Sequence, residues 1–139
     1  IEENEIIKLT NLAENFEISE LIDNSLVKNK RKTLKILNEN NFIQEDCILI
    51  LRIYLSKLKR LLKIQEELKI IKNTDKAIAT FKPPIFWKEK DLVKQQLSLL
   101  NQKKIQDLIS KTTQLELQIK KKPTLSINVV TNFVMEQVA

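Results

Sequence analysis

The chain has 139 residues, 42% hydrophobic and 30% charged, a soluble globular balance with enough apolar material for one domain. It contains no glycine and no histidine, which removes phosphate-cradling loops, dinucleotide turns, imidazole base catalysis and the usual zinc and iron ligand sets. The net charge of +6 is uneven: residues 1–29 carry seven acids and two bases, whereas residues 30–139 carry 22 bases and 11 acids. That basic body suits nucleic acid or an acidic partner, and equally a plainly solvated lysine-rich surface.

The first stretch, Glu2 to Thr10, sets Ile6, Ile7 and Leu9 in an acidic context and has too little apolar area to stand alone. Residues 1–15 therefore read as the tail of a preceding domain, and the chain as a piece of something longer. No apolar run approaches the roughly 20 residues of a membrane span, and the acidic start is unlike a signal peptide, so a cytoplasmic address is expected. Ser19 is suited to cap a short helix from Glu20 to Lys28, with Leu21, Ile22, Leu26 and Val27 at helical spacing. Arg31 to Asn40 repeats the pattern with Leu34 and Leu37 inward, and Asn38, Asn40 and Asn41 mark its end because asparagine tolerates the left-handed position.

Gln44 to Lys72 is the longest helical pattern. Ile48, Leu51, Leu55, Leu58 and Leu62 recur at steps of three and four, and Ile50, Tyr54, Leu61, Leu68 and Ile71 widen the stripe. Its first half is apolar nearly all round, as befits the central helix of a bundle. In its second half Lys57, Lys59, Arg60 and Lys63 alternate with leucine, and two readings stand: a solvated face, or a stripe that contacts DNA phosphates. Cys47 lies in an apolar run with no histidine to activate it and reads as a small buried hydrophobe.

Thr74 caps a short helix whose apolar face is Ala77, Ile78 and Phe81. Pro83 and Pro84 then remove two donors and fix two φ angles, so no helix continues through them. The same break holds Phe86 and the only tryptophan, Trp87. Ile85, Phe86 and Trp87 serve either as an exposed interface anchor or as a plug between helical layers, since large aromatics are used for both. Lys88 to Leu100 and Gln102 to Lys122 are further helices, the second with Ile105, Leu108, Ile109, Thr112, Leu115 and Ile119 on one face. Pro123 forces a turn, and Ser126 is suited to cap a last helix facing inward through Ile127, Val130, Phe133, Val134 and Val138. No stretch of useful length alternates like a strand. The expected fold is an all-α bundle of about six to eight helices, with no clustered acid pair or other catalytic constellation and no cofactor.

Several phrases occur in an order that resembles the carboxy-terminal part of the bacterial DNA polymerase III delta subunit, a clamp-loader component. They are Glu3-Asn4-Glu5-Ile6-Ile7, Phe16-Glu17-Ile18-Ser19-Glu20-Leu21-Ile22-Asp23, Leu34-Lys35-Ile36-Leu37, Arg52 with Leu61-Leu62, Pro83-Pro84-Ile85-Phe86-Trp87-Lys88-Glu89-Lys90, and Leu115-Glu116-Leu117-Gln118-Ile119-Lys120. The resemblance spans nearly the whole chain, and the Pro-Pro segment is its distinctive part. It implies that residues 1–15 end a lid domain and that residues 16–139 form a collar, a helical oligomerisation module. Such a collar packs beside the gamma/tau and delta-prime subunits while the sliding clamp is loaded on primed DNA. The resemblance assigns clamp binding to an N-terminal module that this chain lacks; the candidate partner interface within the chain is the segment Pro83, Pro84, Ile85, Phe86 and Trp87. A stand-alone basic domain that binds nucleic acid is the competing expectation, distinguished by salt-dependent binding without any protein partner.

Overall fold

The computed structural model describes residues 16–82 and 84–139. Over them the chain is all-α: seven helices and two 3-10 turns, with no strand among the described residues. The helices are α1 (16–26), α2 (Lys30–Glu39), α3 (Gln44–Ile71), α4 (Thr74–Thr80), α5 (Lys90–Leu99), α6 (Gln102–Lys121) and α7 (Ser126–Glu136). The 3-10 turns are Trp87–Glu89 and Pro123–Leu125. The expected tail, residues 1–15, and Pro83 lie outside the described residues. No helix among those described is long and apolar enough to cross a membrane.

α3 is the axis of the bundle. Its 28 residues make a rod of about 42 Å, and it packs chiefly on α6, with α4, α5 and α7 around it. Arg52 of α3 meets Glu116 of α6, while Gln65 thirteen residues later reaches the Leu100 carbonyl just ahead of α6, so the two long helices run antiparallel. α1 is deeply buried: Ile18, Leu21, Ile22 and Leu26 are almost wholly enclosed. At about 1.5–3 kcal/mol for each buried side chain, these four contribute roughly 6–12 kcal/mol of gross transfer free energy, so α1 belongs to the core. A hydrogen-bonded relay ties α3 to α1 and α7. The Ser25 hydroxyl donates to the Val134 carbonyl (3.2 Å), which leaves its oxygen to accept from the Tyr54 hydroxyl (3.3 Å). The Tyr54 ring also packs on Phe133, with centroids 5.0 Å apart.

Local details differ from the sequence expectations for physical reasons. Helix α1 is already running at residue 16, so Ser19 is an interior residue and not a cap. In α2 the inward residues are Thr33 and Ile36, with Leu37 half-buried and Leu34 exposed, because this short helix touches the bundle along one narrow edge. The buried stripe of α3 is Cys47, Ile50, Leu51, Tyr54, Lys57, Leu58, Leu61 and Ile64, rotated from the expected one, with Ile48 and Leu62 only partly covered. Asn40 ends α2 in an extended conformation, its side-chain amide donating to the Ile36 carbonyl. The left-handed positions fall to Lys28 (φ 60°) and Lys72 (φ 56°) in a chain that has no glycine to offer. Asn73, one residue before the expected Thr74, caps α4 by accepting from the Lys76 amide, and Leu125 stands at the cap of α7, with Ser126 its first residue.

Candidate functional site

The most unusual chemistry is an ionic cluster inside the bundle. Lys57 lies on the buried stripe of α3, at the helical step between Tyr54 and Leu61, and its side chain is only 8% exposed. Its ammonium sits 3.1 Å from both carboxylate oxygens of buried Asp23 in α1 and 3.4 Å from Glu89 at the end of the Trp87 turn. Arg60, one turn further along α3, donates through Nη1 to the other oxygen of Glu89 at 3.2 Å. Gln96 of α5 donates to the carboxylate and the backbone carbonyl of Asp23, and the Ser19 hydroxyl donates to Glu89 at 3.4 Å. Four segments, α1, α3, the Trp87 turn and α5, therefore converge on two cations and two anions. Burial pushes the Glu89 carboxyl up, but the charges and hydrogen bonds of Lys57 and Arg60 outweigh it and hold the group below the ordinary carboxylate range.

This cluster divides the four bases named from the sequence. Lys57 is enclosed and its charge is committed to Asp23 and Glu89, so it faces no phosphate. Lys59 and Lys63 are exposed, and Arg60 is half-committed to Glu89. The pairing of Lys57 with Asp23, thirty-four residues apart, was the part that sequence reasoning missed. The signal was a lysine occupying the missing step of an otherwise apolar stripe, Ile50, Tyr54, Lys57, Leu61.

The segment after the proline break divides as well. Ile85 is 5% exposed and plugs the core beside Phe81, whereas Phe86 and Trp87 stand 51% and 69% exposed. Pro84 is exposed. The two outer aromatic rings tilt against one another with centroids 5.9 Å apart, and the Lys88 ammonium lies 5.4 Å from the Trp87 ring centre. The plug reading applies to Ile85, and Phe86 and Trp87 of the same short segment are exposed. Ile85 and Glu89 fasten it from within while Phe86 and Trp87 face out.

Beside this segment runs a basic groove of about 530 Å³. Its floor is Leu55, Ser56 and Phe81, and its rim is Arg52, Lys59, Arg60, Lys63 and Lys82. Arg52 is paired with Glu116 at 3.1 Å, and Lys120 joins the same carboxylate at 3.5 Å. The hydrogen bond from Arg52 holds the Glu116 carboxyl below its ordinary value. Lys59, Lys63 and Lys82 have no ion-pair partner among the described residues. Cys47 is buried, with its thiol pushed up to about 11 by burial and then by Asp46 and Glu45, so it stays a neutral thiol that donates weakly to the Ile43 carbonyl. Among the described residues no three metal-ligating side chains converge. Comparison with protein-family models, with curated proteins and with solved structures finds no match to this chain.

Proposed function

We propose that this chain is a helical oligomerisation module, the collar part of a clamp-loader delta subunit, which associates with other loader subunits during DNA replication. The observation that carries the reading is the Phe86–Trp87 pair, exposed on a segment anchored from within by Ile85 and Glu89. Two large aromatic residues held in water on a fixed support cost solubility unless a partner covers them, and such residues contribute disproportionately to interfaces. The ordered phrases that resemble the delta subunit, above all Pro83 to Lys90, suggest the kind of partner: the gamma/tau and delta-prime subunits.

Size-exclusion chromatography with light scattering, on the chain alone and then mixed with those subunits, tests the reading. Co-elution that is lost in Trp87→Ala, with the melting temperature unchanged, is the expected result. A chain that ignores the loader subunits and instead shifts with short DNA at low salt overturns it in favour of a nucleic-acid domain.

A further inference from the structure

We propose that the basic groove along α3 is a docking site for an acidic, apolar-anchored peptide segment of a partner protein. The inference stands independently of the clamp-loader reading.

The rim follows helix geometry. Arg52, Lys59 and Lys63 of the rim lie on one face of α3 with Ser56 of the floor at the step between them, four, three and four residues apart, a stripe about 16 Å long, and Lys82 joins them from the segment after α4. The rim's lysines are unpaired among the described residues, while Arg52 and Arg60 are paired with Glu116 and Glu89, so Lys59, Lys63 and Lys82 are the free cations around a floor on which half-buried Leu55 is the accessible apolar side chain. An acidic peptide with one or two large apolar side chains complements both features, its carboxylates on the rim and its apolar anchor on the floor.

Arg60 sharpens the choice. Its Nη1 is used by Glu89, but Nε and Nη2 have no acceptor and are closed off from water. Those two nitrogens are the side-on fork of a guanidinium, the pair that grips a carboxylate through two parallel bonds. Leaving them unmade inside the protein is costly, and because Arg60 lines the groove, a partner carboxylate that draws its side chain outward to meet this fork relieves that cost. A polynucleotide satisfies the fork equally well but not the floor. The groove's one aromatic, Phe81, is 5% exposed and offers no ring face on which a base could stack, whereas half-buried Leu55 presents an aliphatic surface to a peptide's apolar anchor.

The test uses the full chain and a fluorescein-labelled peptide of about twelve residues that alternates acidic residues with leucine and phenylalanine, long enough as a helix to cover the stripe. Fluorescence anisotropy is compared with poly-aspartate and oligothymidylate of similar length. The expected result is binding in the range of tens of micromolar, about tenfold tighter than poly-aspartate. It should weaken about tenfold in the doubly exposed variant Lys59→Gln/Lys63→Gln. Arg60→Lys, which keeps the charge and removes the fork, should weaken it further while the circular dichroism spectrum stays unchanged. Should Arg60→Lys unfold, the lysine pair alone decides. Equal binding of poly-aspartate, displacement of the peptide by oligothymidylate, or undiminished affinity in the lysine variant each overturns the proposal.

Discussion

Replacing Lys57 by methionine tests whether the buried ionic cluster has the worth its geometry implies. Methionine keeps nearly the same length and volume, so the substitution removes a charge without opening a large cavity. What remains is Asp23, buried, with only the Gln96 amide as a side-chain donor, and Glu89 held by Arg60 and Ser19. Stranding one member of a buried pair costs about 3–5 kcal/mol, a large part of the roughly 5–15 kcal/mol that holds a domain of this size together. At about 3–4 °C per kcal/mol for this chain length, the melting temperature should fall by about 10–20 °C, measured by circular dichroism. Adding Asp23→Leu removes the stranded anion, and the double variant should recover most of the loss, to within about 1–2 kcal/mol of the parent. A Lys57→Met drop below about 3 °C would refute the reasoning, because it would mean that the ammonium is solvated and the cluster contributes nothing.

Four shorter predictions accompany it. Because Glu89 has a folded-state pKa below its unfolded one, its contribution is complete above the ordinary carboxylate range and is lost as pH falls through the lowered value. Melting temperature should therefore decline steeply only below about pH 4.5, and the decline should be shallower in Glu89→Gln. Ile85→Ala should cost about 2–4 kcal/mol in a urea titration while Trp87→Ala costs less than about 0.5 kcal/mol, since one side chain is enclosed and the other exposed. Cys47, with its thiol pushed up to about 11, should react with a thiol-specific disulfide reagent at neutral pH only as fast as the chain unfolds, monitored by absorbance under native and denaturing conditions. Lys72→Gly should raise stability by about 0.5–1 kcal/mol in chemical denaturation, because the left-handed end of α3 is occupied by a residue with a Cβ.

The helices were legible because their apolar spacing is strong. The ends of α3 and α6 fall within a residue of the boundaries read from the periodicity, and Ala77, Ile78 and Phe81 turn inward together as expected. Asymmetry within a helix was less legible. A stripe read from leucines alone puts Leu34 inside and leaves out Thr33, whose hydroxyl satisfies itself on the Asn29 carbonyl and so costs little to bury. The ionic cluster was hidden for a different reason. Asp23, Lys57 and Glu89 are each unremarkable in sequence, and only the meeting of α1, α3 and the Trp87 turn makes them one unit. Left-handed caps at Lys28 and Lys72 carried no signal either, since lysine has no preference for that conformation.

Along α3 the same residue type serves opposite ends. On the inward face Lys57 is enclosed with two carboxylates, while on the outward face Lys59 and Lys63 border a groove with no acid against them. Arg60 lies between, bonded on one side to Glu89 and unsatisfied on the other. Glu89 thus joins the two sides of the arrangement: it pairs with the inner cation, holds one edge of the guanidinium of Arg60, which also lines the groove, and fastens the turn that begins at Trp87. A basic charge count summed over the chain treats these lysines as equivalent. Burial separates them into one that ties α1 and the proline-break segment to α3, and others left exposed at the edge of the groove.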